Sequence, residues 1–156
     1  MGDMWPSIIA VLGTLAGGAM TFAFQTRLSS KEHAKEVAER HRSEILDAAS
    51  SLGAAMLTYR HSQLARQHDY LRTRQRSEAL SAEVRSARGE AWAALFRIQL
   101  LTTDDEVLGK ATDAMTKLRA LKDVENPSDL DGVGEDGRRA IRAFVESTRQ
   151  RLLVNP

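Results

Sequence analysis

Cysteine is absent from this chain. Its absence excludes disulfides, thiolate metal centres and cysteine nucleophiles together, and it fits a reducing compartment. Proline occurs only at Pro6, Pro127 and Pro156, so nothing of that kind interrupts Ser7 to Asn126. Proline breaks helix interiors by removing a donor and clashing with the preceding turn, so this stretch is open to long helices. No segment alternates apolar and polar residues over a useful length, which argues against strands. An excess of one charge is missing as well. The 22 Lys and Arg residues face 21 Asp and Glu, so net charge points to no particular partner.

Against that charged background, Trp5 to Gln25 contains no ionisable side chain. At about 1.5 Å per residue, the run matches a hydrocarbon core of roughly 30 Å. The pattern predicts a short tail over 1–4, a transmembrane helix over 5–26 and a body over 27–156. About 130 residues then remain, enough for one small domain with a modest core.

Trp5 suits the headgroup zone and Pro6 suits a first helical turn, while Arg27 can extend its charge to the opposite interface. The tail carries Asp3 and no basic residue, whereas Arg27, Lys31, Lys35, Arg40 and Arg42 follow the run. Basic flanks stay in the cytoplasm, so the expectation is a single-pass protein of the cell membrane, N-terminus out and body cytoplasmic. A cleaved signal peptide would want a positive start and a small-x-small exit; Met1-Gly2-Asp3 and Thr21–Arg27 supply neither. Myristoylation would want Ser or Thr where Pro6 stands. Within the run, Gly13 and Gly17 form a GxxxG that Thr21 continues, beside a second small-residue row of Ala10, Thr14 and Gly18. Small side chains let helix backbones approach in lipid, so Gly13, Gly17 and Thr21 are candidates for self-association. The plainer alternative is that glycine is common in membrane helices.

Small or apolar residues recur at Ala34, Ala38, His41, Ile45, Ala48, Leu52, Ala55 and Tyr59, alternating steps of four and three. This is the rhythm of a packed helix seam. It predicts a stalk helix continuing from the membrane, serving as a coiled-coil strand or, in the favoured reading, as one member of an antiparallel bundle. A turn is expected within the polar stretch Arg72–Ser77. The next stripe is Leu80, Val84, Ala87, Ala91, Leu95, Ile98 and Leu101, widened by Trp92 and Phe96. Thr103 and Glu106 have capping-box spacing, so a further helix should start at Asp104 and bury Val107, Leu108, Ala111, Met115, Leu118 and Leu121. The Pro, Gly and Asx content of Asn126–Gly137 predicts a loop, spanning about 123–137. A last helix should carry Ile141, Phe144, Val145, Thr148 and Leu152. The fold class expected is all-α, a bundle of about four helices.

No catalytic constellation is apparent, and neither a cofactor nor a metal is expected. Gly132-x-Gly134-x-x-Gly137 matches a dinucleotide fingerprint by letter, yet the fingerprint requires a preceding strand, and Asp129, Asp131, Glu135 and Asp136 would repel a pyrophosphate. His33, His41, His61 and His68 lack the spacing of a bundle metal site. Arginines cluster instead. Arg60, Arg66, Arg72, Arg74 and Arg76 occupy one short stretch with Asp69 as its lone acid, and Arg85 and Arg88 follow. Arg66, Arg72, Arg74 and Arg76 are candidate contacts for an acidic partner or nucleic acid; a solvated helix surface is the simpler and leading reading.

Several stretches resemble small actinobacterial membrane proteins of the KilB-like type. They are Ile9-Ala-Val-Leu-Gly-Thr-Leu-Ala-Gly-Gly18, Phe24-Gln25, Tyr59-Arg60-His61, Tyr70-Leu71-Arg72 and Thr103-Asp104-Asp105-Glu106-Val107. The resemblance implies an accessory protein of mycelial conjugative plasmids and related elements, aiding spread of transferred DNA beside a membrane DNA translocase. It assigns no role to individual residues. The combined expectation is a non-enzymatic, membrane-anchored helical assembly protein, a homo-oligomer that meets other membrane proteins of a DNA-transfer machinery. Two other classes compete: a phage inner-membrane protein of spanin type, which would need its body outside, and a membrane-tethered nucleic-acid-binding helical domain.

Overall fold

The computed structural model describes the backbone of residues 4–154 and the side chains of His33 and of 35–152. Every regular element among them is helical: α1 (Met4–Thr73), α2 (Glu78–Leu101), α3 (Asp105–Ala120), a 3-10 turn (Leu121–Asp123) and α4 (Pro127–Val154). The chain divides into two compact units, Met1–His41 and Arg42–Pro156.

In the first unit, the described side chains of His33 and of 35–41 are all exposed. Among the described residues no helix is long and apolar enough to cross a membrane. The span expected over 5–26, with Gly13, Gly17 and Thr21, lies outside the described side chains.

The second unit is an antiparallel four-helix bundle. Arg97 on α2 pairs with Asp47 near the start of this part of α1. Arg151 near the end of α4 pairs with Glu106 at the start of α3. An added β-carbon at Gly53 would lie 3.5 Å from Val145, and one at Gly134 would lie 3.1 Å from Leu64, so α4 also runs antiparallel to α1. The core takes Leu52, Met56, Leu95, Ile98, Leu118, Leu130 and Phe144, all nearly inaccessible to solvent. The expected seam on α1 holds only from Ile45 onward: Ala38 and His41 are exposed, and burial begins where the other helices supply partners.

Local chemistry sets the turns. α1 ends as the Arg74 amide bonds the Tyr70 carbonyl at 2.7 Å, with Arg74 at φ 56°, the left-handed conformation that commonly stops a helix. Ser77 caps α2 by accepting from the Leu80 amide, so the expected turn over Arg72–Ser77 is present. The α3 cap differs from expectation by one residue. Asp104, not Thr103, accepts from the amides of Glu106 and Val107; a carboxylate there also complements the positive helix end.

The predicted loop over 123–137 is a larger departure. Only Val124–Asn126 separates the 3-10 turn from α4, which begins at Pro127 and runs through all three glycines. Leu130, Gly134, Gly137, Ala140, Ile141 and Phe144 share its buried face. Glycine costs a helix about 1 kcal/mol relative to alanine, but at Gly134 and Gly137 the missing side chain admits Leu64 and Leu118. Packing overrides propensity here: Gly134 and Gly137 belong to a helix contact face, while Gly132 is exposed with nothing within 4 Å. Trp92 and Phe96 also depart from the expected stripe. They are 43% and 56% exposed, with ring centroids 5.7 Å apart.

Candidate functional site

Tyr59, Gln63 and Arg66 follow one another on the inner face of α1 at helical spacing. The Gln63 amide donates to the Tyr59 hydroxyl at 2.9 Å, and Arg66 Nη2 donates to Gln63 Oε1 at 2.7 Å. Tyr59 and Gln63 are buried. Their polar ladder forms the floor of a groove of about 430 Å³, whose walls include Arg88 and Trp92 from α2 and Met115, Thr116 and Arg119 from α3. Lys122, in the 3-10 turn, closes one side. A smaller cavity of about 170 Å³ shares Arg66 and Lys122 with the groove and adds Gln67, Tyr70, Arg76 and Asp123.

The electrostatics of this region are one-sided. Burial pushes the Arg66 guanidinium below its ordinary pKa; Arg76 and Arg88 add repulsion, while Tyr59 and Asp123 act in the opposite sense. Among the described residues, none of Arg66, Arg76, Arg88 and Arg119 is ion-paired. Elsewhere on the bundle, Arg60, Arg85, Arg97, Arg138, Arg139, Arg149 and Arg151 each have a carboxylate partner, whereas the exposed Arg74 and Arg142 have none among the described residues. Asp123, 3.6 Å from Lys122, is the sole carboxylate lining either cavity. Arg76 lies over the Tyr70 ring, 5.7 Å from its centroid.

Of the four arginines singled out by sequence, Arg66 and Arg76 come together at the smaller cavity. Arg72 instead pairs with Asp69 at 3.2 Å, and Arg74 occupies the left-handed turn; neither lines either cavity. Arg88 and Trp92 stand one helical turn apart on α2, a local signal of a shared face. Arg119 and Lys122 reach the same groove only through the tertiary fold, so spacing could not have found them. Among the described residues no group of three or more His, Asp or Glu side chains could hold a metal.

A second groove, of about 350 Å³, runs between α1 and α4 and is almost wholly apolar. Leu46, Leu57 and Val145 on its rim are each nearly half exposed. Apolar surface left uncovered in this way marks docking sites more often than single scattered residues do.

Comparison with known families matches residues 46–152 to the KilB plasmid transfer protein. The match covers most of the chain and almost all of the four-helix bundle, and the chain belongs to that family. No curated protein and no solved structure matches it.

Proposed function

We propose that this member of the KilB plasmid transfer family is a non-catalytic assembly component of the transfer machinery, anchored by residues 5–26 with its bundle in the cytoplasm. The observation that carries the proposal is the position of the family match. It falls on the bundle, which supports a transfer role for the helical body, while the uncharged N-terminal run supports the anchor. The basic residues that follow the run support the orientation. The apolar groove between α1 and α4 supports self-association, since a second copy would cover Leu46, Leu57 and Val145. Gly13 and Gly17 would add contact between membrane helices.

The full-length chain tests each part. It should stay with membranes after alkaline extraction, and a reporter fused at its C-terminus should be active in the cytoplasm; release from the membrane or an external reporter overturns the anchored reading. Cross-linking should trap oligomers that Leu57→Glu and the pair Gly13→Leu and Gly17→Leu each reduce. Unchanged cross-linking in both rules out these two contact surfaces, and no cross-linked oligomer of the wild type removes self-association.

A further inference from the structure

We propose that the groove between α1, α2 and α3 binds single-stranded nucleic acid, with phosphates on Arg66, Arg88 and Arg119 and a base stacked on Trp92. This goes beyond the assembly role and stands whether or not the chain is anchored.

The first support is charge. A half-buried guanidinium without a counter-ion is unfavourable, and four unpaired arginines around two joined cavities repel one another. Arg66 is partly buried, whereas Arg76, Arg88 and Arg119 are solvent-exposed; together they make a positive field that favours an anion. Asp123, which also pairs with Lys122, offsets only part of the positive charge around Arg66.

The second support separates nucleic acid from an acidic protein. Trp92 stands on the rim with 43% of its surface open, beside Arg88 on the same helix. The track then passes Arg66 and Lys122 to Arg76, which overlies Tyr70. An open aromatic ring beside a line of cations suits a strand whose phosphates track the charge while a base stacks on the ring. Carboxylates alone would leave Trp92 without a flat partner.

The third support is size. At about 430 Å³ the groove falls in the range of roughly 300–1,000 Å³ that encloses a small organic ligand. That is room for a nucleotide unit, whereas a duplex is wider than the roughly 8–10 Å that separates the axes of packed helices.

The test uses the full-length chain in detergent micelles and a fluorescent oligothymidylate of about 20 nucleotides. Binding should weaken with salt, with a log–log slope near −2 for about three phosphates neutralised. Arg88→Gln and Arg119→Gln, both on exposed positions, should each weaken binding about tenfold, and Arg66→Gln should do the same where it folds. Trp92→Ala should cost roughly 5- to 100-fold, with Trp92→Phe retaining most of the affinity. Arg142→Gln, on α4, should change nothing. The proposal is overturned by any of four results: no binding, equal affinity for a duplex of the same length with Trp92→Ala neutral, equal competition by polyglutamate, or a nucleoside triphosphate binding as tightly as the strand.

Discussion

The Gln67 amide Nε2 donates to the carbonyl oxygen of Val124 at 2.6 Å, with both residues buried. This bond ties α1 to the link between the 3-10 turn and α4, where the backbone leaves regular structure and its carbonyls need partners. Gln67→Leu would keep the volume and orphan the carbonyl. The expected loss is about 1–3 kcal/mol, read as a lower urea midpoint with an unchanged slope. A midpoint equal to wild type would mean that water replaces the bond without cost.

Gly132 and Gly137 lie on the same helix and should respond oppositely to alanine. A β-carbon at Gly132 would meet nothing within 4 Å, whereas one at Gly137 would lie 3.0 Å from the fully buried Leu118 side chain. Gly132→Ala should stabilise the bundle by up to about 1 kcal/mol, the propensity difference in a helix interior. At Gly137 the same gain is opposed by overpacking worth roughly 1–3 kcal/mol, so Gly137→Ala should be neutral or destabilising and Gly137→Val clearly destabilising. Thermal unfolding of the three variants checks the order, and a stabilising Gly137→Val would refute the close packing of α3 on α4.

Acid stability should depend in part on Glu135. Its carboxyl titrates below its ordinary value chiefly because Arg138 hydrogen-bonds it; desolvation opposes this, and attraction to Arg138, Arg60 and Arg139 adds to the lowering. A carboxylate with a depressed folded pKa contributes stability in full above its unfolded value. That contribution fades as pH falls through the window below it. The group is exposed, so the effect is small and salt-sensitive. Urea midpoints measured from neutral pH downward should therefore fall less steeply in Glu135→Gln than in wild type once the pH drops below the ordinary carboxylate range.

The helix count, the all-α class and most of the core were legible because α2 and α3 carry regular stripes. Val84, Ala87, Ala91, Leu95 and Ile98 are buried as their spacing requires, and so are Val107, Ala111, Met115 and Leu118. Residues 123–137 were misread because glycine and aspartate speak locally for a turn, while the reason for Gly134 and Gly137 lies on α1 and α3. Trp92 and Phe96 were misread for the converse reason: periodicity locates a stripe, but not which edge a neighbouring helix leaves open. The groove was half legible. Arg66 and Arg76 stood out as a run in sequence, whereas Arg119 and Lys122 join them only after α3 has folded back.

The contacts of Arg60 with Gly134 and Glu135, and of Gly53 with Val145, join the first helix of the bundle to the last. A ribosome releases α1, α2 and α3 before the segment that covers the α1 flank exists. During that interval Leu64 and the surface near Gly53 face whatever is close by, including other nascent copies on the same message. Closure by α4 is therefore a timing event as well as a packing one, and slowing translation just before Pro127 should favour exchange of that final helix between chains.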